Sequence, residues 1–153
     1  MDALTVATAV ITVIQAANTI ISICYDYKAA VKDCPWELSS IIEEVKGLRN
    51  VLESLEQLTK KAEGANPALK AELPVLRRLC EPEQGPIKLC LGELESLEKR
   101  LAPPGWAGQV GSKRRALVQA MGWPLKERES KKTLEKIVRY TKALHLAMGA
   151  DQM

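Results

Sequence analysis

Residues 3–25 read ALTVATAVITVIQAANTIISICY, and none of these 23 side chains carries a charge. Polar side chains recur along this stretch at alternating spacings of three and four, at Thr5, Thr8, Thr12, Gln15, Thr19 and Ser22. The other positions are almost all Ala, Val, Ile or Leu. Because an α-helix has 3.6 residues per turn, this spacing predicts an amphipathic helix from Ala3 to Tyr25, and on as far as Val31, whose polar face is narrow and uncharged.

The rest of the chain carries rows of leucine, isoleucine and valine at the same helical spacing. Asp33, Cys34 and Pro35 read as an N-cap and first turn before the second row. The predicted helices cover residues 38–55 (ending near Gly64), 66–79, 87–101, a short piece from a Ser112 N-cap through Leu117 to Met121, and 134–148. Prolines and glycines separate them at 82–86, 103–105 and 122–124.

These patterns predict an all-α fold, a helical bundle of four main helices and one or two short ones with a long apolar N-terminal helix. The chain has no Phe and only three Trp and three Tyr, so its core is expected to be aliphatic, and strand signals are missing. The expected domain spans residues 1–149, with 150–153 as the start of a linker or a frayed end. At 153 residues the chain suits one domain that needs no disulfide or metal.

The residues of known catalytic and metal sites do not occur here in their usual patterns. The cysteines at 24, 34, 80 and 90 lack zinc-site spacing, and His145 is the only histidine. The glycines at 105, 108 and 111 follow no strand, so they do not form a phosphate loop. We therefore expect no enzyme activity, no cofactor and no metal, and we expect an intracellular protein with reduced thiols.

Positive charge is concentrated in the last third of the chain. The net charge is +3, yet residues 113–142 hold ten Lys or Arg against three Glu. Such a segment can meet anionic lipid, nucleic acid or an acidic partner, or it can simply form a solvated helix face.

The charge-free helix admits two interpretations. It can be the central helix of a bundle, touching neighbours on three sides with its polar stripe towards solvent. Its 23 residues also rise roughly 34 Å, enough to cross a hydrocarbon core of about 30 Å. A surface helix gains nothing from avoiding Lys and Glu, whereas each central charge would add roughly 2.5–3.5 kcal/mol to membrane insertion.

Several segments of the chain resemble fungal HeLo-like domains, the N-terminal domains of fungal NLR-like STAND receptors. They are MDALTVA (1–7), VIQA (13–16), EEVKGLRNVL (43–52), WPLKE (123–127) and the pattern of Ile137, Lys142, Ala143, Leu144 and 146–148. The resemblance covers essentially the whole chain through the order and spacing of these segments. It implies a bundle related to HeLo domains and to the four-helix executioner domain of the necroptosis pseudokinase.

The resemblance implies a membrane-permeabilising effector of programmed cell death, in fungal innate immunity and heterokaryon incompatibility. Such a domain self-associates, and its N-terminal helix inserts as the protein moves from cytoplasm to plasma membrane. A NACHT and repeat receptor or an amyloid signalling partner would accompany it. The residues expected to meet lipid are Leu4, Val6, Val10, Ile11, Val13, Ile14, Ile20 and Ile21. Those expected to gather anionic headgroups are Lys113, Arg114, Arg115, Lys126, Arg128, Lys131 and Lys132.

Two other function classes compete with a membrane effector. A protein–protein adaptor would bind helix to helix through exposed apolar positions, for which Trp106 is the expected example. Nucleic-acid binding would use the basic third, but no stacking series of aromatic residues accompanies the charge, so we expect no nucleic-acid partner.

Overall fold

The computed structural model describes residues 3–32, 35–63 and 85–151 of the chain. Five α-helices lie in these ranges: α1 (Ala3–Ala30), α2 (Glu37–Glu63), α3 (Pro86–Leu101), α4 (Ser112–Met121) and α5 (Glu127–Asp151). A short 3-10 turn, Trp106–Gly108, precedes α4. The described residues contain no strand. The predicted all-α bundle with a long apolar N-terminal helix is therefore confirmed.

Helix α1 packs against α2, α3 and α4, and α5 covers α2 and α3. The hydroxyl of Tyr27, near the end of α1, donates to the carbonyl oxygen of Leu101, the last residue of α3. These two helices therefore end side by side and run in the same direction. The ion pairs Arg100–Glu129 and Lys136–Glu93 place α5 antiparallel to α3. We call the end of the bundle where α1 and α3 finish and α2 and α5 begin the turn end.

The core is aliphatic, as the missing phenylalanine predicted. The four long helices contribute apolar residues to it, α4 contributes the buried Val118, and on α1 the buried row runs through Val10, Val13, Ala17, Ile20 and Cys24 to Tyr27. Full burial of one such large side chain contributes about 1.5–3 kcal/mol. This face holds α1 at the centre of the bundle, while its other side reaches solvent.

Two local expectations are wrong. Ser112 does not cap α4, because the helix begins at Ser112 itself and Gly111, at φ 60°, is the capping residue; glycine reaches this left-handed region without strain. Trp106 is not an exposed loop residue, since only 4% of its surface is accessible. The backbone of α5 is helical to Asp151, and the expected boundary of the domain at residue 149 stays a prediction.

Some expectations lie outside the described residues. They are the Asp33 cap, the helix at 66–79, most of the turn at 82–86, Cys34, Cys80 and the last two residues of the chain.

Candidate functional site

The residues expected to meet lipid do not form an exposed surface in this structure. Val10, Val13, Ile14, Ile20 and Ile21 are buried in the core. Ile11 is the exception, with 36% of its surface accessible. For Leu4, Thr5 and Val6 the structure describes only the helical backbone. Contact of the buried residues with lipid therefore requires that α1 leave its neighbours.

The polar stripe lies on the solvent side of α1. Thr8, Thr12, Gln15 and Ser22 are exposed, and Thr19 is half-buried. The Thr12 hydroxyl donates to the Thr8 carbonyl oxygen at 2.9 Å, and the Thr19 hydroxyl donates to the Gln15 carbonyl oxygen at 3.0 Å. Such bonds to the preceding turn are intrinsic to the helix. Two of the stripe's hydroxyls are thus satisfied without help from water or from another helix.

Polar contacts also join α1 to α2 along the edge of the stripe. Arg49 donates to the Asn18 side-chain oxygen at 3.1 Å, and Glu53 lies 3.7 Å from Arg49. The Lys46 ammonium bonds the Tyr25 hydroxyl and lies 5.0 Å from the centre of its ring. These groups are on the surface, where each such contact contributes about 1 kcal/mol or less.

A buried aromatic cluster anchors the last turns of α1 at the turn end. Tyr27 bonds the Leu101 carbonyl at 2.6 Å and meets the Trp123 ring edge-on, with centroids 5.2 Å apart. Beside it, the Trp106 indole N–H donates to the Asp26 carboxylate at 3.0 Å. We call Asp26, Tyr27, Trp106 and Trp123 the aromatic anchor. Sequence reasoning missed it, although the presence of all three tryptophans outside the leucine rows was a signal.

The predicted basic residues lie on α4, at Lys126 just before α5 and on the first turns of α5, but they are not equivalent. The Arg114 guanidinium stacks on the Trp106 ring, 4.0 Å from its centre, and bonds the Gln109 carbonyl. Lys131 pairs with Glu127 at 3.1 Å. The other five, Lys113, Arg115, Lys126, Arg128 and Lys132, are exposed, and no ion pair within the described part of the chain involves them. The Arg114 side chain thus mainly packs on Trp106 and is less available to solvent than the other basic residues.

Two of the cysteines lie in the core. Cys24 and Cys90 are free and buried. Burial, with a smaller contribution from the nearby Glu93 carboxylate, raises the pKa of the Cys90 thiol to about 12. At neutral pH that thiol is protonated, and the thiolate is the nucleophilic form. His145 is exposed on α5. Among the described residues, no group of three or more His, Cys, Asp or Glu is arranged to hold a metal ion.

By length and composition, the segment Thr8–Ala30 of α1 could cross a membrane. Core helices of soluble proteins and N-terminal signal sequences share these properties, so they identify a candidate and no more. Comparisons of the chain with protein-family models, with curated proteins and with solved structures found no match.

Proposed function

We propose that this chain is a membrane-permeabilising effector of regulated cell death, the function that its resemblance to HeLo-like domains implies. On activation, several copies cluster at the plasma membrane, α1 leaves the bundle, and its charge-free span enters the bilayer. The protein acts without a cofactor and without catalysis. Before activation it is a cytoplasmic bundle.

The observation that carries this proposal is the absence of charge on the exposed side of α1 between Thr8 and Tyr25. The buried side of any core helix is apolar, so its composition does not distinguish the two interpretations. The solvent side does, because Thr8, Thr12, Gln15 and Ser22 stand where Lys or Glu would be well solvated. A soluble bundle has no physical reason to avoid charge there, whereas an inserting helix has one.

The contacts of α1 also favour a transfer to lipid over a transfer to water. Its buried valines and isoleucines would exchange aliphatic protein neighbours for acyl chains, which are about as apolar. The Thr12 and Thr19 hydroxyls keep their bonds to their own helix in either environment. The polar groups of Gln15 and Asn18 still need partners, and neighbouring copies of α1 can supply them at about 1–2 kcal/mol per contact or less.

Vesicle leakage tests the proposal, and the structure selects the variant. Val10 is fully buried, so a charge there would disrupt the fold. Ile11 is partly exposed and lies within one turn of the midpoint of the charge-free span. Ile11→Lys should leave the bundle folded and reduce leakage roughly a hundredfold, the equivalent of about 2.5–3.5 kcal/mol of insertion free energy. The control is Leu89→Lys, which adds the same charge at an exposed apolar position of α3.

Wild-type protein should release dye from anionic vesicles, and Leu89→Lys should do the same. If Ile11→Lys remains folded by circular dichroism and leaks as strongly as the control, α1 is not the inserting element. If the wild type releases no dye from any vesicle, the proposal as a whole fails.

A non-catalytic adaptor is the second candidate, and exposed apolar side chains favour it. Leu146, with 74% of its surface accessible, and Leu89 are available for contact with another helix. The buried Trp106 is not. An adaptor predicts a stoichiometric protein complex that Leu146→Ser weakens, with no leakage.

A further inference from the structure

Large apolar side chains stand exposed at the turn end of the bundle. Trp36, just before α2, has 68% of its surface accessible, and Val110, just before α4, has 77%. Met121, the last residue of α4, is exposed as well. All three lie beside the points where helices begin or finish, and Met121 also has its sulfur 3.5 Å from the hydroxyl of Tyr27. A folded protein gains no stability from holding a tryptophan in water.

The same end carries exposed positive charge. Lys28 in the last turn of α1 and Lys32 just after it are exposed, as are Lys113 on α4 and Lys126 before α5. No ion pair within residues 3–32, 35–63 and 85–151 involves these four lysines.

The described acidic groups of the turn end are largely withdrawn from solvent or paired. Glu37 is buried, and the Asp26 carboxylate accepts the Trp106 N–H. Glu127 and Glu129 pair with Lys131 and Arg100. The field that reaches the solvent from the described part of this end is therefore positive.

We propose that the turn end is a docking surface for an anionic phospholipid bilayer, with Trp36 as its interfacial anchor. This proposal rests on the proposed function and specifies which part of the folded bundle meets the membrane first. Tryptophan is favoured at the headgroup level, where one end of the ring is apolar and the other is wet. Lys28 and Lys32 contact headgroup phosphates, and each basic residue near such a surface strengthens binding about fivefold.

The aliphatic residues that accompany these lysines favour lipid over single-stranded nucleic acid. Val110 and Met121 are aliphatic side chains without a stacking face, so they add nothing to binding of unpaired bases. Acyl chains just below the headgroups can accept them.

Docking by the turn end orients α1. The helix is 28 residues long and therefore about 42 Å. The last turn of α1, with Lys28, lies at the docked surface. The charge-free part of the helix extends from that surface into the bundle, away from the membrane. Lys28 and Lys32 remain among the headgroups when that part enters the bilayer. Lysines at the cytoplasmic boundary of a membrane helix follow the usual distribution of positive charge.

Binding to vesicles tests the role of Trp36 in docking. Sedimentation of the full chain with phosphatidylcholine vesicles, with and without phosphatidylserine, gives the affinity of each variant. Trp36→Ser should weaken binding to the anionic vesicles about tenfold, or about 1.4 kcal/mol, and Trp36→Phe should retain most of it. Leu146→Ser removes an equally exposed apolar side chain from the last turns of α5, roughly 28 Å along the axis from the turn end, and should bind like wild type.

Quenching of tryptophan fluorescence by brominated lipid reports on the contact of Trp36 with the bilayer in a variant, Trp36→Phe, that still binds. Brominated lipid should quench the tryptophan fluorescence of the bound wild type. Trp36→Phe should lose most of that quenching, because Trp106 is buried and Trp123 is partly buried. Lys32→Gln should weaken binding about fivefold, while Lys88→Gln, at the opposite end of α3, should not.

Equal affinities of Trp36→Ser and Leu146→Ser, or unchanged quenching in Trp36→Phe, overturn the docking surface. Binding of the wild type to DNA or to an acidic polypeptide, but not to anionic vesicles, overturns it too. Docking through Trp36 and Lys32 without dye release sustains this inference while refuting permeabilisation. Dye release that is unchanged by Trp36→Ser and by Lys32→Gln supports permeabilisation and refutes the docking surface.

Discussion

Replacing Tyr27 by phenylalanine should destabilise the bundle by removing a single oxygen atom. The Tyr27 side chain is fully buried, and its hydroxyl donates to the Leu101 carbonyl at 2.6 Å. Leu101 ends α3, so that carbonyl lacks a partner in the next helical turn. An unsatisfied buried acceptor costs about 1–3 kcal/mol. Phenylalanine keeps the ring and its edge contact with Trp123, so the effect isolates the contacts of the hydroxyl, which also lies 3.5 Å from the Met121 sulfur.

Thermal and urea unfolding measure the loss. For a chain of this length, each 1 kcal/mol lowers Tm by roughly 2–4 °C, so Tyr27→Phe should lower it by about 2–12 °C. Tyr25→Phe is the matched control, because Tyr25 is exposed and its hydroxyl contacts only the surface ammonium of Lys46 among the contacts described above. That change should stay within about 0.5 kcal/mol of wild type.

The same variant links stability to the proposed activity. The hydroxyl of Tyr27 holds the end of α1 on the bundle, so its removal narrows the free-energy gap between the packed and the released helix. Tyr27→Phe should therefore release dye at a lower protein concentration than Tyr25→Phe does. Equal unfolding free energies for the two variants would refute the role assigned to the bond. A less stable Tyr27→Phe that leaks no more than its control would refute the link to release.

Three further predictions concern the aromatic anchor and the core. Asp26→Ala should lower the unfolding free energy by about 1.5–3 kcal/mol by leaving the Trp106 N–H without its charged acceptor, whereas Asp26→Asn, which can still accept, should lose less. Arg114→Ala should lower Tm through the lost stacking on Trp106, with less effect on vesicle binding than Lys113→Ala. Burial raises the pKa of the Cys90 thiol to about 12, so as the pH rises above about 9 the thiol ionises in the unfolded chain before it ionises in the folded one. The free energy of unfolding should therefore fall by up to ~1.4 kcal/mol per pH unit until about pH 12. Urea titrations of Cys90→Ala should lack this contribution.

The architecture of α1 could be predicted from the sequence because its pattern is long and regular. About five turns of alternating threes and fours determine which side chains share a face, and burial of Val10, Val13 and Ala17 opposite the exposed Thr8, Thr12 and Gln15 follows that periodicity. The helix breaks at 103–105 and 122–124 could be predicted as well, since proline and glycine act through local backbone geometry.

The aromatic anchor could not be predicted in this way, because its contacts join residues about 80 positions apart. Trp106 follows two prolines and a glycine, a composition that favours an exposed loop. Gly105, at φ 83°, turns the chain into the short 3-10 segment, and the indole then reaches Asp26. No local pattern records this pairing, nor the stacking that withdraws Arg114 from the predicted lipid-binding set.

The long separation between Tyr27 and its partners matters while the chain is being made. Leu101 follows Tyr27 by 74 residues, and Trp106 follows Asp26 by 80. At about 5–20 residues per second, the ribosome needs roughly 4–16 s to supply the second half of the anchor. Throughout that interval the charge-free helix lacks its contacts with the end of α3 and with α4. Its threonines and glutamine lower the hydropathy of this nascent segment below that of an unbroken run of leucine, which makes its insertion into a bilayer less favourable.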